Sequence, residues 1–446
     1  MFESVLVANR GEIARRIIRT TKRMGLTAIA VYSEADADLP FVVEADEAIA
    51  IGPAAPAECY RDPRVVLEAA RQSGAEAIHP GYGFLSEDPS FAEAVGAAGL
   101  VWVGPAAEAI EQMGDKIRAR NLVAAAGVPV SRGTTSPVAD AAAAVIAARD
   151  IGFPLMVKAS AGGGGMGMGV AADEESLPAE YDRVRGFAER MFGDPAVLLE
   201  RFYPEVRHVE VQVLGLADGR IVALGERDCS VQRRNQKLVE ETPSPAVDDA
   251  LRRALCSAAV RAAETVGYRG AGTVEFLLDT ASGEFVFLEM NTRLQVEHPI
   301  TEFVTGLDLV EAQLLVAGGE PVGFDPDDVS LNGHAIEMRV NAEDPKRFLP
   351  GPGVIKVWEE PTGEGVRVDA GYRLGNVVTP HYDSLLAKLV VHGADREEAL
   401  SRAREALGGF RVEGPKCNLP FFVELLDTPE FRSGGYDTGI VGRMRA

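Results

Sequence analysis

The sequence predicts an α/β fold in three parts, and three features carry that prediction. Strand and helix patterns alternate through the first 113 residues, as in a parallel βα sheet. Residues 154–172, PLMVKASAGGGGMGMGVAA, enclose six glycines between two apolar runs, which reads as a hairpin flap. Beyond Gly333 the pattern breaks into short strands with Gly/Pro turns. The expected division is an N-terminal parallel sheet over 1–113, a middle part over 114–332 with a lid at 131–203, and a smaller β-rich part over 333–446.

The elements follow in order. Residues 4–8 read as a strand, 12–24 as a helix with Ile13, Ile17 and Ile18 on its apolar face, and 27–32 as a second strand. A helix at 63–73, a strand at 77–79, a helix at 89–98 and a strand at 101–104 complete a sheet closing near residue 113. The first turn, Ala8-Asn9-Arg10-Gly11-Glu12, lacks GxGxxG, so this sheet need not hold a dinucleotide. His79-Pro80-Gly81-Tyr82-Gly83-Phe84 follows a strand's carboxyl end, where α/β sheets place sites, although structural turns share its composition. Residues 115–126 form a helix with Lys116 near its start, 136–149 an alanine-rich helix, 177–192 a helix and 196–202 a strand. A β-rich stretch over 209–290 is broken by a helix at 248–266, and a last helix spans 396–407.

Composition narrows the function classes. A net charge of −22 over 446 residues excludes a broad nucleic-acid or anionic-membrane surface. Four cysteines (Cys59, Cys229, Cys256, Cys417) without CxxC spacing fit free thiols in a reducing compartment. MFESVLVANRGE has no basic n-region followed by an apolar h-region, and no apolar run reaches the roughly 18 residues a membrane span needs. A cytoplasmic location is expected.

Three clusters carry chemistry. The glycine loop lets successive N–H groups converge on an anion, and Lys158 adds a point charge at the strand end. No Gly-Lys-Ser/Thr triplet is present, so this is not a Walker A loop. Residues 273–278 and 284–289 read as a hairpin around Asp279-Thr280-Ala281-Ser282-Gly283; with a turn centred near 281–282, Glu275 falls close to opposite Glu289. Such a carboxylate pair repels unless a cation lies between, and Mg²⁺ or Mn²⁺ suits it, with Asn291 as a further oxygen ligand. An exposed hairpin carrying two acids without a metal is the competing reading.

If 291–297 is extended, Asn291, Arg293, Gln295 and Glu297 face one way; Arg293 would grip a small oxyanion and Glu297 accept its proton. His298 falls on the opposite side as a structural residue. Arg227-Asp228-Cys229-Ser230-Val231-Gln232-Arg233-Arg234-Asn235-Gln236-Lys237 gathers four cations, either an anion site or a solvated basic turn. His208 and Glu210 flank Val209 on one strand face.

HPGYGFLSE (79–87), MGDK (113–116), KASAGGGG (158–165), RHVEVQV (207–213), GERDCS (225–230), EMNTRLQVEHP (289–299) and NAEDP (341–345) together resemble biotin carboxylase. That is the ATP-grasp component of acetyl-CoA and related biotin-dependent carboxylases, and the resemblance runs over essentially the whole chain. It implies an ATP-grasp middle domain using ATP, Mg²⁺ or Mn²⁺, and bicarbonate. ATP would be held by Lys116, Lys158, Gly163, Gly164, Gly165, Met168, His208, Gln232 and Asn235, with Glu200, Arg201 and Tyr203 in the adenine hinge. Glu275, Glu289 and Asn291 would bind the metal. Lys237, Arg293, Gln295, Glu297 and the Val296 N–H would hold bicarbonate, while Arg339 meets the ureido oxygen of biotin and Tyr82 borders that pocket. Glu297, Arg339, Lys237 and Arg293 would be the catalytic set.

The implied reaction carboxylates N1′ of biotin through carboxyphosphate, as the first half-reaction of an acyl-CoA carboxylase in fatty acid biosynthesis. The implied partners are a biotin carrier, a second copy in a homodimer, and a carboxyltransferase subunit. The sequence contains no Met-Lys dipeptide, so the carrier is expected on another chain. Met166 and Gly169 stand where the commonest pattern has arginines, and Asn235 where it has histidine. QRRNQK followed by EETP is more like carboxylases acting on urea, which stands as the alternative. A carboxylate–amine ligase would leave the RLQVEHP cluster unexplained, and a non-catalytic regulatory protein would not need Glu275, Glu289, Glu297 and Arg339.

Overall fold

The computed structural model describes residues 1–160 and 166–445, so Gly163, Gly164 and Gly165 lie outside the described residues. The N-terminal sheet is parallel, in the order Glu47–Ala50, Thr27–Tyr32, Ser4–Val7, Ala77–His79, Val101–Trp102. The edge strand Glu47–Ala50 was not expected. It is short and half exposed, so it lacks the apolar run that marks a buried strand. Helices Gly11–Arg23 and Pro63–Ser73 follow the expected pattern; Asp62 caps the second through the Arg64 N–H, and Gly74 closes it in the left-handed region (φ 65°).

The flap is a three-stranded sheet with Leu155–Ala159 between Met168–Ala171 and Val197–Arg201. Helices Ala141–Ile151 and Leu177–Phe192 back it, enclosing a core of Leu155, Val157, Tyr181, Val184 and Leu199. The alanine-rich helix starts at Ala141 rather than 136 because Asp140 caps it, accepting from the Ala143 N–H.

The middle and C-terminal parts share one eight-stranded sheet, which runs on across the division expected at Gly333. Its order is Phe285–Asn291, Gly270–Leu278, Arg207–Gly215, Ile221–Arg233, Gln236–Thr242, His334–Asn341, Leu385–Gly393, Val366–Ala370. All neighbours are antiparallel. The turn-rich sequence after Gly333 hid this continuity, because pairing between Gln236–Thr242 and His334–Asn341 is non-local. Helix Asp249–Glu264 packs on the part nearer Gly270–Leu278, and Arg396–Gly409 on the other end. Two helices not expected, His298–Thr305 and Leu309–Ala317, follow strand Phe285–Asn291. No helix among the described residues is long and apolar enough to cross a membrane.

Candidate active site

The sheet builds the site by register. Glu289 pairs with Glu275, Glu275 with Glu210, and Glu210 with Arg227, so three carboxylates and a guanidinium stand in a row across four strands. Side-by-side carboxylates repel, and the neighbours offset this. Arg227, fully buried, donates to Glu210 Oε1 at 2.7 Å, and also to Gln212, Thr273, Gln295 and Thr301. Lys237 Nζ sits among three acids, 2.5 Å from Glu210, 3.0 Å from Glu275 and 2.6 Å from Glu297.

A bulge places Lys237. Between the pairs Val231↔Val239 and Gln232↔Lys237 the strand Gln236–Thr242 carries one extra residue, Leu238. Lys237 and Glu240, three apart, can therefore share the site side, while Leu238 and Val239 pack into the apolar core. Glu297 receives Lys237 on one oxygen and Arg339 Nη2 on the other at 2.9 Å.

Electrostatics set the roles. Burial works to raise the carboxyl of Glu297, but Lys237, Arg339 and Arg227 outweigh it and hold it well below the usual range. Glu297 is therefore ionised at neutral pH. Glu275 is likewise held low against burial, by Lys237 and by His208, whose Nε2 lies 2.8 Å away. Glu289 moves the other way, raised by burial and by the Glu275 charge, with Lys116 opposing. A half-buried carboxylate raised by its neighbour is short of positive charge. The Asn291 amide nitrogen donates to Glu275 at 2.9 Å, which brings its side chain to the pair. Two carboxylates and an amide are hard oxygen donors, and the residues present fit a divalent cation.

The other expected residues distribute as follows. Lys116 starts a helix capped by Asp115 and feels Glu289, Lys158 and Glu200. Lys158 pairs with Glu200, so two cations and two acids meet between the flap and the hairpin that carries Glu275 and Glu289. Arg201 turns toward the Phe153 carbonyl, and Tyr203 is half-buried in the connection beyond that strand. Met168 pairs with Lys158 across the ladder, and its carbonyl accepts from Arg183 at 2.9 Å. The Glu180 and Arg183 side chains fill the space a Cβ at Gly169 would take, and Met166 is exposed. Val296 is held through its carbonyl by Lys388 at 2.9 Å, and Tyr82 hydrogen-bonds to Glu12 while sensing the charge of Arg339.

Several expectations need correction. Residues 291–297 are not extended throughout: the strand ends at Asn291, and Glu297 lies at the N-terminus of helix His298–Thr305. Gln295 still reaches Glu275 at 2.9 Å, while Arg293 turns to Glu87 at 2.9 Å and to the Asn291 oxygen at 3.0 Å. The basic run is not one anion site. Arg227 is consumed in the buried row, Arg233 stacks on Phe348, and Arg234 and Asn235 form an exposed turn with φ 50° and 65°. Of the four cations Lys237 alone pairs with Glu275 and Glu297, while Arg227 meets Glu210. Left-handed φ at both central positions is the two-residue hairpin geometry that favours asparagine, which gives Asn235 a backbone reason of its own. Gln232 pairs with Lys237 beside it.

The sequence reading missed Glu87, Glu12, Lys388, Glu240 and Glu337. Glu87 closes the quoted HPGYGFLSE run and was a visible candidate. Lys388 and Glu337 sit in apolar strand sequence, where only a charge with no exposed face signals a role.

Three family models match along the chain. "Biotin carboxylase, N-terminal domain" matches residues 1–110, "Carbamoyl-phosphate synthase L chain, ATP binding domain" residues 115–324, and "Biotin carboxylase C-terminal domain" residues 337–443. Biotin carboxylase 2 of Bacillus subtilis (strain 168) is 48% identical over 98% of each chain. A pyruvate carboxylase subunit of Methanothermobacter thermautotrophicus is 47% identical over 100% of this chain and 90% of its own length. Among solved structures, the biotin carboxylase domain dimer of Hydrogenobacter thermophilus 2-oxoglutarate carboxylase, in complex with MgADP, ADP and bicarbonate, superposes with a TM-score of 0.95. It is 43% identical and covers 99% of this chain and 98% of that one. With matches along all three parts and near-half identity over the full length, this chain belongs to the biotin carboxylase family.

Proposed function

We propose that the chain carboxylates N1′ of biotin on a separate carrier, using ATP and bicarbonate, as the first half-reaction of an acyl-CoA carboxylase. One observation carries the reading: Glu297 is held ionised between Lys237 and Arg339, beside an acidic pair suited to a divalent ion. Glu297 takes the proton of bicarbonate, which Lys237, Arg293, Gln295 and the Val296 N–H hold. The anion attacks the γ-phosphorus of ATP to give carboxyphosphate and ADP. Lys116, Lys158, His208 and the glycine loop hold the nucleotide, with Met168, Glu200, Arg201, Tyr203, Gln232 and Asn235 around it. Mg²⁺ or Mn²⁺ at Glu275, Glu289 and Asn291 supplies charge neutralisation for the transferred phosphoryl group.

Carboxyphosphate splits into CO₂ and phosphate, and the phosphate removes the N1′ proton. Arg339 meets the negative ureido oxygen, a role that needs a cation which stays charged. N1′ then attacks CO₂. Tyr82 borders this pocket. A homodimer is the proposed assembly, supported by the Hydrogenobacter thermophilus dimer.

Pyruvate carboxylase and 2-oxoglutarate carboxylase relatives favour a 2-oxo acid as a second reading for the final acceptor, alongside the urea alternative. ADP release that requires both bicarbonate and free biotin tests the half-reaction; release indifferent to biotin overturns it. The biotinylated protein that co-purifies from the native host, with its carboxyltransferase, identifies the acceptor class.

A further inference from the structure

Two buried carboxyl groups behind Arg339 have no part in the steps above. Glu240, on strand Gln236–Thr242, and Glu337, on strand His334–Asn341, are direct partners across the antiparallel ladder, so their side chains share one face. Both are 0% exposed. Glu240 Oε1 accepts from Arg339 Nε at 2.6 Å. Its Oε2 and both oxygens of Glu337 meet no hydrogen-bond donor among the described residues. Two facing buried carboxylates with three orphaned oxygens are a prohibitive arrangement if both are ionised. One proton resolves it, since a protonated carboxyl becomes the donor its neighbour lacks.

We propose that Glu240 and Glu337 share one proton and act together as positioning residues that hold Arg339 for the carboxyl-transfer step. The idea rests on the proposed function, because it gives the pair a place in that reaction. Arg339 is divided between two anions, Glu240 and Glu297. When Glu297 takes the bicarbonate proton, one of those anions is lost. Glu240 then keeps the guanidinium in place through both Nε and Nη2, and only the Nη2 hydrogen given up by Glu297 is free to face the ureido oxygen.

The surroundings set the pH at which this works. Glu240 faces Arg339, Glu297 and Lys237, and Glu337 faces Lys388, Glu240, Arg339 and Glu297. Helix His298–Thr305, packed on the same strands, brings His298, which burial and the cations Lys388, Arg16 and Arg367 keep neutral. Burial first, and then Glu297, push Glu240 up to about 7 despite Arg339. Burial and Glu240 push Glu337 well above the carboxylate range despite Lys388. Above about pH 7 the proton therefore resides on Glu337, which meets no donor among the described residues, and the charge on Glu240, which has Arg339. Because the Glu240 value is raised, its charge is lost as pH falls through about 7, and Arg339 is released.

The experiment compares carboxybiotin formation with bicarbonate-dependent ATP cleavage across pH in Glu240→Gln, Glu337→Gln and Glu337→Leu. Glu240→Gln lowers carboxybiotin formation at least about tenfold relative to ATP cleavage and removes the acid limb. Glu337→Gln preserves the limb, because the amide N–H replaces the donor. Glu337→Leu moves the limb up by about one to two pH units, the worth of one hydrogen bond to a charged group. A limb that stays put in Glu337→Leu, or vanishes in Glu337→Gln, overturns the proposal.

A readout without turnover is the infrared C=O stretch of a protonated buried carboxyl, expected in the wild type at neutral pH and lost in Glu337→Gln. Biotin-dependent turnover without this band refutes the shared proton alone. The band without biotin-dependent turnover refutes the proposed function and leaves the protonated pair standing.

Discussion

Replacing Lys237 by methionine keeps the length of the side chain and removes the one charge that three buried acids share. Breaking a buried ion pair by deleting one partner costs about 3–5 kcal/mol, because the other charge is left buried without compensation. Each acid here keeps a second partner: Glu210 keeps Arg227, Glu275 keeps His208 and Glu297 keeps Arg339. The loss should therefore lie near the lower end, about 3 kcal/mol, which is roughly 6–12 °C of thermal midpoint for a domain of 150–250 residues.

The pH dependence is the sharper test. Glu275 and Glu297 are held below the ordinary carboxylate range, so their stabilising contribution is present at neutral pH and lost only as pH falls through their folded values. In Lys237→Met these carboxyls rise, and protonation relieves their repulsion. The destabilisation is thus largest between pH 7 and 8 and shrinks toward pH 5. Thermal melts of both proteins across that range, without nucleotide, measure it. A loss independent of pH, or one that grows in acid, would refute the electrostatic account, and wild-type ATP cleavage in the variant would refute the role of Lys237.

Glu289→Gln should abolish ADP release yet leave the metal-free midpoint equal or higher, more so at pH 8 than at pH 5, since Glu289 is a raised group whose charge is unfavourable without a cation; a lower midpoint counts against the metal pair. Arg339→Ala should cut carboxybiotin formation by roughly 10²–10³ while much of the bicarbonate-dependent ATP cleavage persists; equal losses in both would move this arginine into the first step. Arg227→Lys keeps the charge but cannot satisfy five buried acceptors, so thermal midpoint and turnover should fall together; lost turnover with an unchanged midpoint would restore Arg227 as a substrate ligand.

The sequence alone determined what is local. The helix Pro63–Ser73 and the strand Thr27–Tyr32 were readable because caps, proline and apolar period all act within a few residues. The near-opposition of Glu275 and Glu289 was readable for the same reason, since a short hairpin turn sets the approximate register, and a bulge between Glu275 and Phe276 makes the two acids direct partners. Tertiary structure decided whatever depended on non-local pairing. Residues 333–446 looked like a part apart, yet their strands extend the central sheet through pairing with Gln236–Thr242. Arg227 and Lys237 looked equivalent in a basic run, but strand geometry and one bulge sent the first into a buried network and the second among three acids. Arg339 carried no signal of its own, and Glu240 and Glu337 become partners only across the ladder between two strands nearly a hundred residues apart in sequence. Side-chain period can be read along a chain, but the charge opposite each side chain belongs to another strand, and that is fixed only when the sheet closes.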